Sequence, residues 1–147
     1  MKPMSKRDKY NVGAHSIYLC QYHIVFCPKF RFKVLKDAVE VELKQIFKDI
    51  AIEYDYEIIE MEVMPDHVHL FVGAKPSVAP SDIVRTMKSI SAIRLFKKFK
   101  PLKDYYRRRG ALWSKGKFIS TIGFVSADTI KKYIQEQKDW DENVKGV

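Results

Sequence analysis

The sequence predicts an α+β domain in which one antiparallel sheet carries helices on one face. Two long segments place apolar residues at helical spacing, and short stretches rich in β-branched and aromatic residues alternate with them. A tight-turn signal joins two of these stretches as an antiparallel hairpin. With 147 residues and no interdomain linker, the chain is expected to fold as one domain with its own core.

The first half of the chain predicts a strand, a helix and a hairpin of two strands, over residues 16–28, 37–54, 56–64 and 67–74. Pro28 is expected to end the first strand, because proline cannot donate to a sheet. Asp37 is a plausible N-cap for the helix. Pro65 and Asp66 form the turn of the hairpin.

The second half predicts a helix, a strand and a final helix, over residues 81–99, 117–124 and 126–140. Ser81 and Ser126 are the expected N-caps, and Pro101 is expected to end the first of these helices. Residues 103–110 form a basic, aromatic connection. Without its last helix, the order β-α-β-β-α-β is that of the ferredoxin-like (RRM-like) fold, which leaves one sheet face open for substrate.

The charge balance favours a polyanionic partner. The chain carries 27 Lys and Arg against 18 Asp and Glu, a formal net charge of +9, which suits nucleic acid or an anionic membrane surface. No apolar run approaches the ~18 residues of a spanning helix. Residues 1–15 are expected to form a flexible basic arm on a cytoplasmic protein, because they lack the apolar core of a signal peptide.

The two cysteines, Cys20 and Cys27, are expected to be buried, reduced thiols. Their odd spacing sends them to opposite faces of a strand, so a local disulfide is not expected. A zinc site of Cys20, His23 and Cys27 is an alternative, but its spacing fits no paired-ligand zinc pattern.

The segment around His67 and His69 is the strongest chemical signal. Side chains alternate along a strand, so both imidazoles share one face and can offer neutral nitrogens to one metal ion. Val68, Leu70 and Val72 line the other face. A pair of structural histidines is the competing interpretation. Asp66 could orient an imidazole, although building the turn is its expected role.

The last predicted helix adds a tyrosine and an amide. Tyr133 and Gln137 lie four residues apart and share one helix face within an apolar stripe. Tyr133 could be an ordinary core aromatic, but a buried amide without a partner costs roughly 1–3 kcal/mol. A metal ion held by His67 and His69 would provide that partner for Gln137. Such a site would favour a phosphate oxygen as a further ligand, and attack by Tyr133 would give a covalent phosphotyrosine.

At these residues the chain resembles the TnpA group of single-tyrosine HUH transposases, with REP-associated tyrosine transposases as relatives. The HUH motif is His67-Val68-His69, and the resemblance extends over residues 22–31, 62–72 and 126–137. The chain departs from the family pattern with Phe26 where Trp is usual, and with Phe30 and Phe32 where Tyr and Arg are usual. The change at Phe32 removes a potential phosphate contact.

The resemblance implies His67, His69 and Gln137 as ligands of Mg²⁺ or Mn²⁺ and Tyr133 as the nucleophile. Members of the family are homodimers that cut and rejoin single-stranded DNA at the ends of insertion sequences, leaving a 5′-phosphotyrosine and a free 3′-hydroxyl. They recognise hairpins near those ends, and the tyrosine helix of one subunit can complete the active site of the other. A short guide sequence in the element chooses the cleavage positions.

Basic residues near aromatic side chains are typical of surfaces that contact phosphates and stack single-stranded bases. Three clusters meet this description, although any of them could be only a solvated surface. The expected DNA-binding residues are Lys29, Arg31, Lys33, Arg85, Lys88, Arg94, Arg107 and Arg108. Arg109 belongs to the last cluster.

Three other functions remain open on the sequence alone. A rolling-circle replication initiator or relaxase would use the same chemistry, but usually has a third histidine ligand or a second tyrosine. A nonenzymatic nucleic-acid-binding module on the same fold would place an RNP-type aromatic motif on the central strands, and no such motif is evident. The third is a transposase relative retained only for binding, against which the presence of His67, His69, Tyr133 and Gln137 argues.

Overall fold

The computed structural model describes residues 11–12, 17–18, 20–121, 134–136, 138–139 and 141. Its strands are β1 (Asn11–Val12), β2 (Ile17–Tyr18), β3 (Cys20–Phe26), β4 (Glu57–Met64), β5 (His67–Ala74) and β6 (Phe118–Ser120). The first two pair with each other in a small sheet of their own, and the other four form the main sheet in the order β4-β5-β3-β6. Every neighbouring pair in the main sheet is antiparallel.

This strand order confirms the ferredoxin-like prediction. The helices are α1 (Asp37–Tyr54), α2 (Pro80–Lys98) and α3 (Lys100–Tyr106). Helix α1 connects β3 to β4, and α2 and α3 connect β5 to β6, so the elements follow the predicted β-α-β-β-α-β order. The hairpin of β4 and β5 turns at Pro65 and Asp66 as predicted.

The core forms where α1 and α2 cover one face of the sheet. Apolar side chains of α1, including Leu43, Phe47 and Ile50, belong to the same buried cluster as Leu70 and Val72 of β5. Full burial of such a side chain contributes about 1.5–3 kcal/mol. The apolar face of α1 and the apolar face of β5 therefore bury the same core. The histidines of β5 alternate with its core residues, so they lie on the opposite face of the sheet.

Both expected N-caps within the described residues are wrong. Lys36 precedes α1 without a side-chain cap, and Asp37 is the first helical residue, with a positive φ of 56°. Ala79 precedes α2, and Ser81 lies inside the helix. The cause is Pro80, whose fixed φ and missing N–H suit the first helical turn, so α2 begins before the serine.

Three element boundaries also differ from the prediction. The first predicted strand, residues 16–28, divides into β2 and β3, which lie in different sheets. Pro101 is not followed by an irregular segment. It lies in the first turn of α3, which extends into the connection predicted over residues 103–110. The last strand, predicted over residues 117–124, covers Phe118–Ser120; residues 122–124 lie outside the described residues.

Several predicted features lie outside the described residues, among them Tyr133, Gln137 and the Ser126 cap. The described residues within the last predicted helix, 134–136 and 138–139, are helical, and so is Asp141 just beyond it. Strand β1 lies within the predicted N-terminal arm. Among the helices described, none is long and apolar enough to cross a membrane.

Candidate active site

The two histidines of the motif lie on the sheet face opposite the core. Val68, Leu70 and Val72 are fully buried against the helices, whereas His67 and His69 are half-buried. The alternation of β5 produces this division, because successive side chains point to opposite faces.

Asp66 both builds the hairpin turn and contacts His67. Its Oδ1 lies 2.9 Å from Nδ1 of His67, and the Asp66 side chain is 16% exposed. A carboxylate on Nδ1 fixes the ring orientation and leaves Nε2 for a metal ion, an arrangement that metal-binding histidines commonly have. The expectation that Asp66 serves mainly the turn was therefore incomplete.

His69 has a neighbour that the sequence did not single out for this site. Nδ1 of His23 lies 3.3 Å from Nε2 of His69, and the His23 ring stacks on Phe71 with centroids 4.4 Å apart. Burial lowers the pKa of His69, and the nearby His23 adds to this effect. A lowered pKa favours the neutral imidazole, which is the form that binds metal.

An acidic edge borders His69. Glu62 on β4 is the direct cross-strand partner of His69, and Glu60 is the partner of Phe71. These four residues and Met61 line a cavity of about 280 Å³. The carboxylates oppose the loss of positive charge at His69, and they make this end of the histidine face favourable to a cation.

The C-terminal helical segment packs onto the histidine face. Ile134 forms a buried cluster with Val25 and Cys27, and Phe118 packs against it. Val25 is the direct cross-strand partner of His69. The segment that follows Tyr133 in the sequence thus lies against the strand beside the histidines.

The donor set within the described ranges is incomplete for a metal ion. No three His, Cys, Asp or Glu side chains among the residues described are placed to hold one ion. The alternative zinc site fails on this ground, and Cys20 and Cys27 belong to different apolar clusters on opposite faces of the sheet. Asp66 on Nδ1 of His67 and the lowered pKa of His69 suit two metal-binding imidazoles, and the predicted third ligand, Gln137, lies outside the described residues.

The predicted DNA-binding residues divide into two groups. Those of α2 are engaged with the protein: Lys88 donates to the carbonyl oxygens of Ser114 and Gly116, at 2.7 and 2.8 Å. Arg94 pairs with Asp49 and Glu42, and Arg85 pairs with Asp82. Burial lowers the pKa of Lys88 to about 8, with Lys117 adding to the effect.

The other two clusters meet in space. The ring of Phe32 lies 5.3 Å from that of Tyr105, and the Arg109 guanidinium lies over both rings. We call this area the basic-aromatic surface; it consists of Phe32, Lys33, Tyr105, Arg107, Arg108 and Arg109, which are exposed or half-exposed. Lys29 is half-buried beside Phe30, with its Nζ 5.8 Å from the ring centroid. Arg31 instead pairs with Asp66, the carboxylate that contacts His67.

The chain thus has a four-stranded ferredoxin-like sheet with two histidines on the face opposite α1 and α2, and comparison with known proteins identifies its family. The model of the family described as "Transposase IS200 like" matches residues 16–137. The chain belongs to this family of transposases.

Two curated relatives are similar over most of their length. The chain is 40% identical to the ISDra2 transposase TnpA of Deinococcus radiodurans over 127 residues, which are 86% of this chain and 90% of the relative. It is 30% identical to the transposase for insertion sequence element IS200 of Salmonella typhimurium over 129 residues, 88% and 84% of the two chains.

Solved structures agree with the fold. A crystal structure of a transposase from Deinococcus radiodurans R1 superimposes with a TM-score of 0.79 at 36% identity, covering 86% of this chain and 97% of that one. A REP-associated tyrosine transposase bound to a REP hairpin gives a TM-score of 0.51 at 13% identity, covering 85% and 68%. The second similarity concerns the fold alone. The predicted resemblance to the TnpA group of single-tyrosine transposases is confirmed.

Proposed function

We propose that this transposase cuts and rejoins single-stranded DNA at the ends of an insertion sequence through a covalent bond to Tyr133. The observation that carries the proposal is the packing of Ile134 against Val25, the cross-strand partner of His69. Because Ile134 directly follows Tyr133, this packing is consistent with a tyrosine that works beside the two histidines.

In the proposed reaction, the Tyr133 hydroxyl oxygen attacks the scissile phosphorus and a phosphotyrosine bond forms. The bond from phosphorus to the 3′ oxygen breaks. Tyrosine releases its proton to solvent, and the 3′ oxygen takes up a proton from solvent. The products are a 5′-phosphotyrosine and a free 3′-hydroxyl. Attack by a 3′-hydroxyl on the phosphotyrosine reverses the step, so the bond energy is kept for rejoining.

His67, His69 and Gln137 are the residues that we expect to hold Mg²⁺ or Mn²⁺. The bound ion would act as a Lewis acid toward the phosphodiester. Asp66 keeps the Nδ1 side of His67 occupied and so orients its Nε2. The lowered pKa of His69 keeps that ligand neutral near neutral pH.

We assign DNA contact first to the basic-aromatic surface. Its arginines suit phosphates, and Phe32 and Tyr105 offer rings for base stacking. The arginines of α2 are less suited, because Asp82, Asp49 and Glu42 already pair with them. From the family resemblance we propose a hairpin near the ends of the insertion sequence as the substrate and a homodimer as the working form.

The proposal is tested by trapping the adduct. Purified protein is incubated with Mn²⁺ and single-stranded DNA that carries the hairpin and flank of the source element, and denaturing gels are compared with and without EDTA. We expect a denaturant-resistant adduct that EDTA abolishes and that the His67→Ala and His69→Ala variants do not form. Lys115→Ala, an exposed position, is the control. Hairpin binding without any adduct in the wild type would favour a binding-only protein.

A further inference from the structure

Arg31 stands between the histidine face and the C-terminal helical segment. Its Nε lies 2.8 Å from Oδ2 of Asp66, and its Nη1 donates to Oε1 of Gln135 at 3.1 Å. The other carboxylate oxygen of Asp66 contacts His67. One guanidinium thus joins a residue of the last helical segment to the carboxylate that orients a motif histidine.

The backbone that carries Arg31 is held in an uncommon conformation. Phe30 and Arg31 have φ values of 62° and 52°, in the left-handed region that non-glycine residues rarely adopt. The N–H of Phe30 donates to Oδ2 of Asp141 at 3.1 Å, and that of Arg31 donates to the Pro28 carbonyl at 2.8 Å. Such conformations persist where surrounding contacts impose them. The C-terminal segment therefore contacts both the Arg31 side chain and the loop beneath it.

The pair of Arg31 and Asp66 is partly shielded from solvent. Their side chains are 24% and 16% exposed, so the pair is screened less than a fully exposed one. Arginine suits this position because its planar guanidinium presents several donors in a fixed geometry, whereas lysine offers one point charge. Arg31 is therefore occupied by contacts within the protein and is not part of the basic-aromatic surface.

We propose that Arg31 is a positioning residue that couples docking of the C-terminal helix to the metal-binding geometry of His67, acting through Asp66. The inference rests on the proposed function, because it requires a divalent ion at His67 and His69. Coupling between two sites is reciprocal, so metal binding should strengthen docking of the helix and docking should strengthen metal binding. The tyrosine would then be held in place most firmly when the metal site is filled.

The test measures Mn²⁺ affinity without DNA, by relaxation of water protons, together with hydrogen exchange of the peptide spanning residues 134–141. We expect Arg31→Ala to weaken Mn²⁺ binding about tenfold. This is the lower end of the losses in affinity that follow when a residue supporting a metal ligand is removed. Wild type should gain exchange protection in that peptide on adding Mn²⁺, and Arg31→Ala should not. Lys36→Ala, with the same charge change at an exposed position five residues later and outside the basic-aromatic surface, should behave as wild type.

Gln135→Ala guards against a folding defect, because Gln135 is exposed and loses only its bond from Arg31 and an exposed bond to Asp139 within its own segment. It should abolish the metal-dependent protection. The inference is overturned if Arg31→Ala keeps wild-type Mn²⁺ affinity and protection while its DNA affinity falls, which would make Arg31 a phosphate-binding residue. Failure of the proposed metal site is a different result: the wild type would bind no Mn²⁺ in a manner sensitive to His67→Ala, and both claims would fall.

Discussion

The carboxylate of Asp141 accepts a hydrogen bond from the backbone N–H of Phe30, 3.1 Å away, across 111 positions of sequence. Its second oxygen accepts the hydroxyl of Ser114 at 2.8 Å, and Asp141 is only 1% exposed. The last described helical residue is therefore anchored to the loops that follow β3 and α3.

Substitution of Asp141 should destabilise the fold, because it removes these two hydrogen bonds. Asp141→Ala leaves the Phe30 N–H and the Ser114 hydroxyl without this acceptor, and we expect the free energy of unfolding to fall by about 1–3 kcal/mol. Urea denaturation measures the change. Asp139→Ala removes an exposed carboxylate from the same segment and should cost much less. Equal destabilisation of the two variants would contradict the anchoring role.

Ser91 accepts a hydrogen bond from the indole N–H of Trp113 at 3.0 Å, and Ser91 is fully buried. Ser91→Ala should lower the free energy of unfolding by about 1–3 kcal/mol, because it removes the acceptor of the buried Trp113 N–H. Ser89→Ala is a matched control, since Ser89 and Ser91 each donate to a carbonyl three residues earlier but Ser89 is exposed. Thermal unfolding that does not separate the two variants would contradict this account.

Cys27 should make stability depend on alkaline pH. Burial raises the pKa of its thiol from 9.0 to about 12, so the folded protein keeps a proton that the unfolded chain releases. The resulting stability is present below pH 9 and is lost as the pH rises toward 12. Between pH 8 and 10.5, wild type should lose up to about 2 kcal/mol more than Cys27→Ala.

The matched control for this measurement is Cys20→Ala, which keeps the buried thiol. Denaturant titrations at the two pH values should show the wild-type pH dependence in Cys20→Ala and a reduced one in Cys27→Ala. A pH dependence unchanged by Cys27→Ala would show that the buried thiol does not cause it.

Affinity for single-stranded DNA should depend on the arginines of the basic-aromatic surface more than on those of α2. The double variant Arg107→Ala/Arg108→Ala should weaken binding and reduce the slope of log affinity against log salt by about 1.4, or about 0.7 for each phosphate that is no longer neutralised. Arg85→Ala/Arg94→Ala has the same charge change but removes residues already paired with carboxylates. Fluorescence anisotropy across a salt series measures both slopes. A larger decrease in affinity for the α2 pair would reverse our assignment.

Local periodicity predicted most of the fold. The spacing of apolar residues indicated the bounds of α1, Asp37–Tyr54, and alternation indicated those of β5, His67–Ala74, because burial on one face dictates each pattern. Prolines were harder to interpret. The sequence predicts that Pro101 stops a helix, yet proline also suits the first turn of a new one, and only the packing of α3 decides between them.

The histidine face could be predicted in part. Alternation alone places His67 and His69 on one face. The interactions that support them join distant segments: Arg31 meets Gln135 across 104 positions, and His23 meets His69 across 46. No local pattern encodes such pairs. The assignment of Arg31 to DNA from its charge could not anticipate that Asp66 and Gln135 would both engage it.

The central claim is that Tyr133 forms the covalent bond to DNA, and peptide mapping of the adduct tests it most directly. Protein and single-stranded DNA are incubated with Mn²⁺, the DNA is digested to a short remnant, and mass spectrometry locates the modified residue among the eight tyrosines of the chain. We predict a nucleotide remnant on Tyr133 that is absent from Tyr133→Phe and unaffected by Tyr54→Phe, a change at an exposed tyrosine outside the basic-aromatic surface. A remnant on any other residue, or an adduct that persists in Tyr133→Phe, would contradict the account.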